Sequence, residues 1–186
     1  MTYPQQICTL TGIPYLPSVE WYAAWFHSQI CGDDYPLPTD RPNRALIRGA
    51  WGEQTLIVPI EGGRKRMAHT PYSQLRLSEH DDWRHSHWQA ITSAYGALPY
   101  FHYLEHEFAP IYTNGPIATL RELCEQLHLA FLRSSGLDEL ILWIKRHSSE
   151  SVCTQRSSAC PVVPKHISAI ELLFLRGPET VFTLLQ

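Results

Sequence analysis

Histidines occur at two spacings that could support chemistry, both within one aromatic-rich stretch of the chain. The first is a His-x-His pair, His85 and His87, and the second is a His-x-x-Glu-His run in which Glu105 lies between His102 and His106. On a helix, His102 and His106 would share a face and could bind zinc, with Glu105 placed to activate water. That site would need a third protein ligand. The run therefore indicates either a zinc hydrolase or two surface histidines.

The His-x-His pair predicts a different chemistry. Residues i and i+2 of a helix project about 200° apart, so His85 and His87 cannot chelate one metal ion together. His87 shares a helical face with Trp83, and a neutral imidazole among aromatic rings can act as a general base near pH 7. The alternative is a histidine at the edge of the core that hydrogen-bonds a carbonyl.

Two basic features could bind an anion. Arg44 begins a predicted strand, where a guanidinium can hold a carboxylate or phosphate in a bidentate fork; the alternative is a solvated edge arginine. The run "EGGRKR" at 61–66 could form an anion-binding loop or a solvated turn. The sequence has no Gly-x-Gly-x-x-Gly, Walker or Gly-x-Ser-x-Gly motif, so no motif indicates a nucleotide cradle or a serine nucleophile.

Composition narrows the class of protein. The 186 residues suit one domain, 1–186, and a net charge of −3 with 18% charged residues argues against a nucleic-acid partner. The five cysteines are odd in number and include no Cys-x-x-Cys, so neither a disulfide framework nor a thiolate metal site is expected. No signal peptide and no apolar run of about 18 residues is present. We therefore expect a cytoplasmic protein that does not span a membrane and has no cofactor or bound metal.

The N-terminal half is predicted to contain strands. A strand near residues 7–11 leads through the turn Pro14-Tyr15-Leu16-Pro17 into a helix. A hairpin follows at 44–60, and a short strand is predicted at 73–77. These strands predict a mixed sheet in an α/β (or α+β) fold.

The C-terminal half is predicted to be rich in helices. Trp83, His87, Ile91 and Tyr95 recur every fourth residue on one helical face, and Gly96 is a natural stop. Further helices are predicted at 100–114, 116–136, 167–177 and 178–186. The pattern at 137–149 fits a helix or a strand, and the helix is favoured.

Four segments, in order, resemble the WbqC-like family. "YLPSVEWYAAWF" (15–26) is similar to its Tyr-Leu-Pro opening, and "RPNRALIRGAWGEQTLIVPI" (41–60) to its Arg-Asn-Arg strand and return strand. "WRHSHWQAITSAYGALPYFHYL" (83–104) resembles its His-Trp, Ala-Tyr and Pro-Phe run, and "ISAIELLFLRGPETVFTLL" (167–185) its closing segment. The order of four motifs is more specific than any one of them.

The resemblance implies a role in surface-polysaccharide or O-antigen biosynthesis. The implied activity is a transferase that uses an activated sugar, such as a nucleotide sugar, or an aminoacyl-type donor. His87 is the expected general base, and the substrate is expected to contact Tyr15, Arg44, Trp83, Trp88 and Tyr95 around one cleft.

Two alternatives remain open, as does the oligomeric state. A non-catalytic small-molecule-binding or accessory protein of the same pathway is favoured by a C-terminal segment that is shorter than in the family. A zinc hydrolase at His102 and His106 is the second alternative, although neither residue matches a position that the family requires.

Overall fold

A β–α–β unit opens the fold. The computed structural model describes residues 8–26, 28–31, 41–49, 52–114, 117–137 and 167–184. Strand β1 (Cys8–Thr11) is followed by helix α1 (Val19–Phe26), which returns the chain to strand β2 (Ser28–Cys31), parallel to β1. The predicted strand, turn and helix are therefore confirmed. Strand β2 was not predicted, because Ser28 and Gln29 read as the end of the helix and Cys31 as the start of a turn-rich segment.

The hairpin is also confirmed. Strand β3 (Arg44–Gly49) pairs antiparallel with strand β4 (Gly52–Ile57), with Arg44 opposite Ile57. Side chains alternate between the two faces of a strand. On β3 the buried Ala45 and Ile47 face the core, whereas Arg44 is exposed on the opposite face.

The expected strand at 73–77 is replaced by irregular structure. A short helix, α2 (Gly63–Met67), and a 3₁₀ turn at Tyr72–Gln74 precede two isolated bridges, Ile60 to Leu77 and Arg76 to Thr119. The described strands therefore form two separate two-stranded ladders instead of one mixed sheet. The α/β class itself is confirmed.

Three helices form the middle of the fold. They are α3 (Trp83–Tyr95), α4 (Phe101–Thr113) and α5 (Leu120–Ser134). Thr119 caps α5, because its hydroxyl accepts the backbone N–H of Glu122 at 3.2 Å. The periodic patterns predicted all three helices. The helix predicted at 137–149 lies outside the described residues, apart from Leu137.

The closing helices join the C-terminal segment to the N-terminal turn. Helix α6 (Ala169–Arg176) begins with the N–H of Ala169 bonded to the carbonyl of Pro17 at 2.8 Å, and α7 (Thr180–Leu184) follows a 3₁₀ turn at Gly177–Glu179. Gly177 has φ +59°, and a Cβ there would lie 2.6 Å from the ring of Tyr100. Only glycine fits this contact between α4 and α6 without a shift.

One cluster of buried side chains connects α1, the hairpin, α3 to α6 and the 3₁₀ turn at 72–74. Aromatic residues form much of it, including Tyr15, Tyr22, Tyr95, Phe101 and Phe174. Among the helices described, none combines the length and the apolarity that crossing a membrane requires.

Candidate functional site

Helix α3 runs along the buried face of the hairpin, and its buried residues contact both strands. His87 hydrogen-bonds the backbone of Ile57 on β4, and the hydroxyl of Tyr95 accepts the backbone N–H of Arg48 on β3 at 3.1 Å. Eight helical residues rise about 12 Å. Four strand residues, from the Arg44–Ile57 pair to Arg48, span about 13 Å. The two lengths agree, so His87 and Tyr95 lie at opposite ends of the hairpin.

His87 is a core residue with a specific set of polar partners. Its side chain is 7% exposed, and its Nδ1 lies 3.0 Å from the hydroxyl of Tyr15. A neutral imidazole has one N–H, so Nδ1 accepts the Tyr15 O–H when that N–H is on Nε2 and donates to Tyr15 when it is on Nδ1. Trp83 covers the ring edge-on, with centroids 5.2 Å apart. The structure thus places Tyr15, Trp83 and His87 in contact.

Tyr15 connects three distant parts of the chain. Its hydroxyl lies 2.8 Å from the hydroxyl of Tyr112 as well as bonding His87, and its backbone N–H donates to the carbonyl of Pro42 at 2.8 Å. The next residue, Leu16, has φ +44° although it is buried. A branched residue rarely adopts this conformation. The surrounding contacts therefore hold the turn in a strained form.

Burial sets the protonation states of this cluster. It lowers the pKa of His87 from 6.5 to about 4, against the opposing effect of the hydrogen bond to Ile57. Burial also raises the pKa of Tyr15 well above 10, and the neighbouring Tyr112 adds to the rise. At neutral pH the chain of groups is a neutral imidazole and two neutral phenols, which is the protonation state that a general base requires.

Arg44 does not share a cavity with His87 in this arrangement. Its side chain alternates with that of Ala45 and is exposed on the outer face of the hairpin, while α3 packs against the other face. Within the described residues Arg44 forms no ion pair. The guanidinium is therefore available to a ligand on the outer face.

Trp88 and Tyr95 contact partners other than His87, and among the described contacts Trp88 meets the cluster only through Tyr112. The half-buried Trp88 stacks on Phe101 and Tyr112, with ring centroids 6.0 Å and 5.7 Å away. Tyr95 joins a second polar cluster, in which its hydroxyl donates to Oε2 of Glu171 at 3.4 Å. Arg48 Nη1 lies 3.5 Å from Oε1 of the same carboxylate. This cluster ties α3, β3 and α6 together near the surface.

Sequence reasoning missed two buried polar residues. Asn43 is 8% exposed, and its amide nitrogen donates to the carbonyl of Val58 at 2.8 Å, but its Oδ1 has no partner among the described residues. His128 is 5% exposed, and its Nδ1 lies 3.3 Å from the hydroxyl of Tyr22. The only sequence signal for His128 was its position beside Leu127 in the apolar stripe of α5.

His102 and His106 are surface residues of α4. Their side chains are 76% and 70% exposed, and each lies about 3.4–3.5 Å from a carboxylate of its own helix, Glu105 and Glu107 respectively. Within the described residues, no group of three His, Cys, Asp or Glu side chains is arranged to hold a metal ion. The zinc ligand pair therefore lacks a third described ligand.

Comparison with models of protein families gives one match. Residues 38–160, about two-thirds of the chain, match the model of the WbqC-like protein family. Neither curated proteins nor solved structures yield a match. The matched region contains the hairpin, α3 and α4, and it excludes Tyr15 and the closing helices.

Proposed function

Because the chain belongs to the WbqC-like protein family, we propose that it acts in the cytoplasmic assembly of cell-surface polysaccharide. The proposed activity is a transferase that moves a group from an activated sugar or aminoacyl-type donor to an amine or hydroxyl acceptor. The observation that carries the site assignment is the convergence on Tyr15 of three segments, at Pro42, His87 and Tyr112.

In this proposal the nucleophilic N or O of the acceptor bonds to the electrophilic carbon of the donor. The bond from that carbon to the leaving group breaks, and the leaving group departs with its electron pair. Tyr15 passes its own hydroxyl proton to Nδ1 of neutral His87 and takes the acceptor proton in its place. Arg44, on the outer face of the hairpin, binds the anionic part of the donor away from the reacting carbon.

The fold offers a matched control for His87. His128 is equally buried, it also bonds a tyrosine hydroxyl through Nδ1, and its pKa is also lowered to about 4. His87→Gln and His128→Gln are compared in a host whose surface polysaccharide depends on this chain, after thermal denaturation shows that both variants fold. We expect polysaccharide to be lost only with His87→Gln. Retention of polysaccharide by both variants would refute the role of His87.

Arg44 is tested separately because it is exposed. Arg44→Ala is compared with Arg133→Ala, whose surface pair with Glu107 at 3.8 Å contributes little to stability. We expect Arg44→Ala to weaken donor binding by about tenfold or more, which is the usual loss when a charged hydrogen bond is removed. Equal binding by the two variants would remove Arg44 from the donor site.

A non-catalytic binding or accessory protein of the same pathway is the second candidate. The burial of His87 and the position of Arg44 on the opposite face favour it, because no described contact joins the base to the anion-binding group. Incubation of purified chain with labelled donors and acceptors separates the two candidates. Donor binding without transfer of label selects the accessory role, and transfer that requires His87 selects the enzyme.

A further inference from the structure

A cavity that is open to solvent lies at the end of the hairpin, beside the N-terminus of α3. Its volume is about 570 Å³, within the usual range for small-molecule sites. It is lined by Ile60, Glu61, Gly62, Ser78, Glu79 and His80. None of these residues belongs to the cluster around His87.

Backbone hydrogen bonds hold the two walls of the cavity together. The N–H of Glu61 donates to the carbonyl of Arg76 at 3.0 Å, and the N–H of Ser78 donates to the carbonyl of Pro59 at 2.9 Å. The carbonyl of Ser78 also accepts the indole N–H of Trp83 at 3.1 Å, which anchors this wall to α3. The lining side chains therefore project from backbone that is already ordered, which lowers the entropic cost of binding a ligand.

Arginines lie near both carboxylates of the cavity, and Glu79 is hydrogen-bonded to one of them. Nη2 of Arg84 lies 3.0 Å from Oε1 of Glu79, and it also donates to the carbonyl of Ile117 at 2.9 Å. Arg84 is only 12% exposed in its side chain, stacks over Trp83 at 4.8 Å, and has no partner for its buried Nη1 among the described residues. Glu61 lies 3.8 Å from each of two arginines, Arg66 and Arg76.

This arrangement suits a neutral ligand with several hydroxyl groups. The carboxylates of Glu61 and Glu79 can accept hydrogen bonds from ligand hydroxyl groups, and the Ser78 hydroxyl and the His80 imidazole can donate or accept. The two carboxylates are balanced by their own arginines, so the lining itself favours neither a bare cation nor a bare anion. Ile60 is the one apolar side chain in the lining, and it can pack against the carbon skeleton of such a ligand.

We propose that this cavity binds a saccharide through neighbouring hydroxyl groups, with Glu61 and Glu79 as the principal acceptors. The inference rests on the proposed function, since it assigns a sugar of that pathway to a site of its own. The sugar could belong to a nucleotide donor or to a glycan acceptor, and both present the same hydroxyl chemistry.

Ligand-observed NMR and calorimetry with the full chain test this assignment. The probes are the methyl glycosides of glucose, galactose and N-acetylglucosamine, together with UDP-glucose and UDP. We expect binding of at least one saccharide probe: a methyl glycoside indicates an acceptor or free sugar, and UDP-glucose alone indicates the donor. No binding by any of these sugars, or equal affinity for UDP and UDP-glucose with no binding of a glycoside, overturns the proposal.

Variants locate the binding in this cavity. Glu61→Gln and Glu79→Gln keep the side-chain shape and are expected to weaken the sugar by about tenfold or more, since each removes a charged hydrogen-bond acceptor. Glu179→Gln, at an exposed carboxylate of the 3₁₀ turn before α7, is the control and is expected to bind normally. Unchanged affinity in both cavity variants, with normal thermal midpoints, would exclude the site.

The outcome is independent of the test of His87. Sugar binding that depends on Glu79, combined with polysaccharide that does not depend on His87, would leave the cavity standing and refute only the proposed chemistry. The reverse combination would retain the role of His87 and refute the cavity.

Discussion

Acidification from pH 7.5 to pH 5 is expected to destabilise the fold through His87 and His128. Burial lowers the pKa of each imidazole from 6.5 to about 4, because the packed core disfavours its charged form. The unfolded chain therefore binds these protons first as the pH falls. The neutral imidazoles cost no stability above about pH 6.5, and stability is lost progressively between pH 6.5 and about 4.

The size of the effect follows from the two pKa values. Between the two pKa values the histidine is protonated in the unfolded chain and neutral in the folded chain. Each pH unit of acidification in this range lowers the unfolding free energy by about 1.4 kcal/mol. At pH 5 each histidine has passed about 1.5 such units, so each contributes a loss of about 2 kcal/mol and the pair about 4 kcal/mol. A loss of this size is a large part of the stability of a typical domain.

Urea denaturation at pH 7.5 and pH 5 measures this loss. His128→Gln removes one of the two titrating groups, so the difference in unfolding free energy between the two pH values is expected to shrink by about 2 kcal/mol. His106→Gln, at a position 70% exposed, controls for the loss of any histidine. If wild type and His128→Gln lose the same free energy between pH 7.5 and pH 5, the assignment of acid sensitivity to the buried rings is refuted.

Three further substitutions test the packing of the site. Tyr15→Phe is expected to lower the unfolding free energy in urea by about 1–3 kcal/mol, because it leaves buried His87 and Tyr112 without their shared partner. Tyr112→Phe is expected to cost less. The reverse order would contradict the central position of Tyr15 in this cluster. Gly177→Ala is expected to lower the thermal midpoint more than Gly136→Ala. Both glycines have positive φ, but only a Cβ at position 177 would meet a ring, that of Tyr100. Equal midpoints would contradict that contact. Tyr95→Phe is expected to cost about 1–2 kcal/mol by removing the acceptor of the Arg48 N–H, and an unchanged urea midpoint would show that water replaces it.

The helices were predictable because each carries its own pattern. Trp83, His87, Ile91 and Tyr95 recur every fourth residue, and all four are buried in α3. The hairpin was equally local, since two strand-forming segments flank Gly49 and Gly52, which pair with each other at its end. The strand predicted at 73–77 was wrong because its residues form single bridges to two different segments, and no local pattern reveals that partition.

The site depended on contacts that no local pattern encodes. Tyr15 and His87 are 72 residues apart in sequence, and their hydrogen bond exists because α3, packed along the hairpin, brings His87 to the N-terminal turn. The family resemblance selected His87 and Tyr15, and the structure places them in contact. The resemblance did not reveal that Arg44 lies on the hairpin face opposite to α3. Alternation along β3 from the buried Ala45 would have shown this once the core face was known.

The bonds from the N-terminal turn to the start of α6 have a consequence for synthesis of the chain. Pro17 and Ser18 bond Ala169 and Ser168, so about 150 residues intervene between the two sides of this closure. A ribosome adds residues in order, and the first turn stays without these partners until position 169 has emerged from the exit tunnel. The N-terminal β–α–β unit therefore lacks its contacts with residues 168 and 169 during most of synthesis. A chain stalled before residue 169 is an expected target for chaperones.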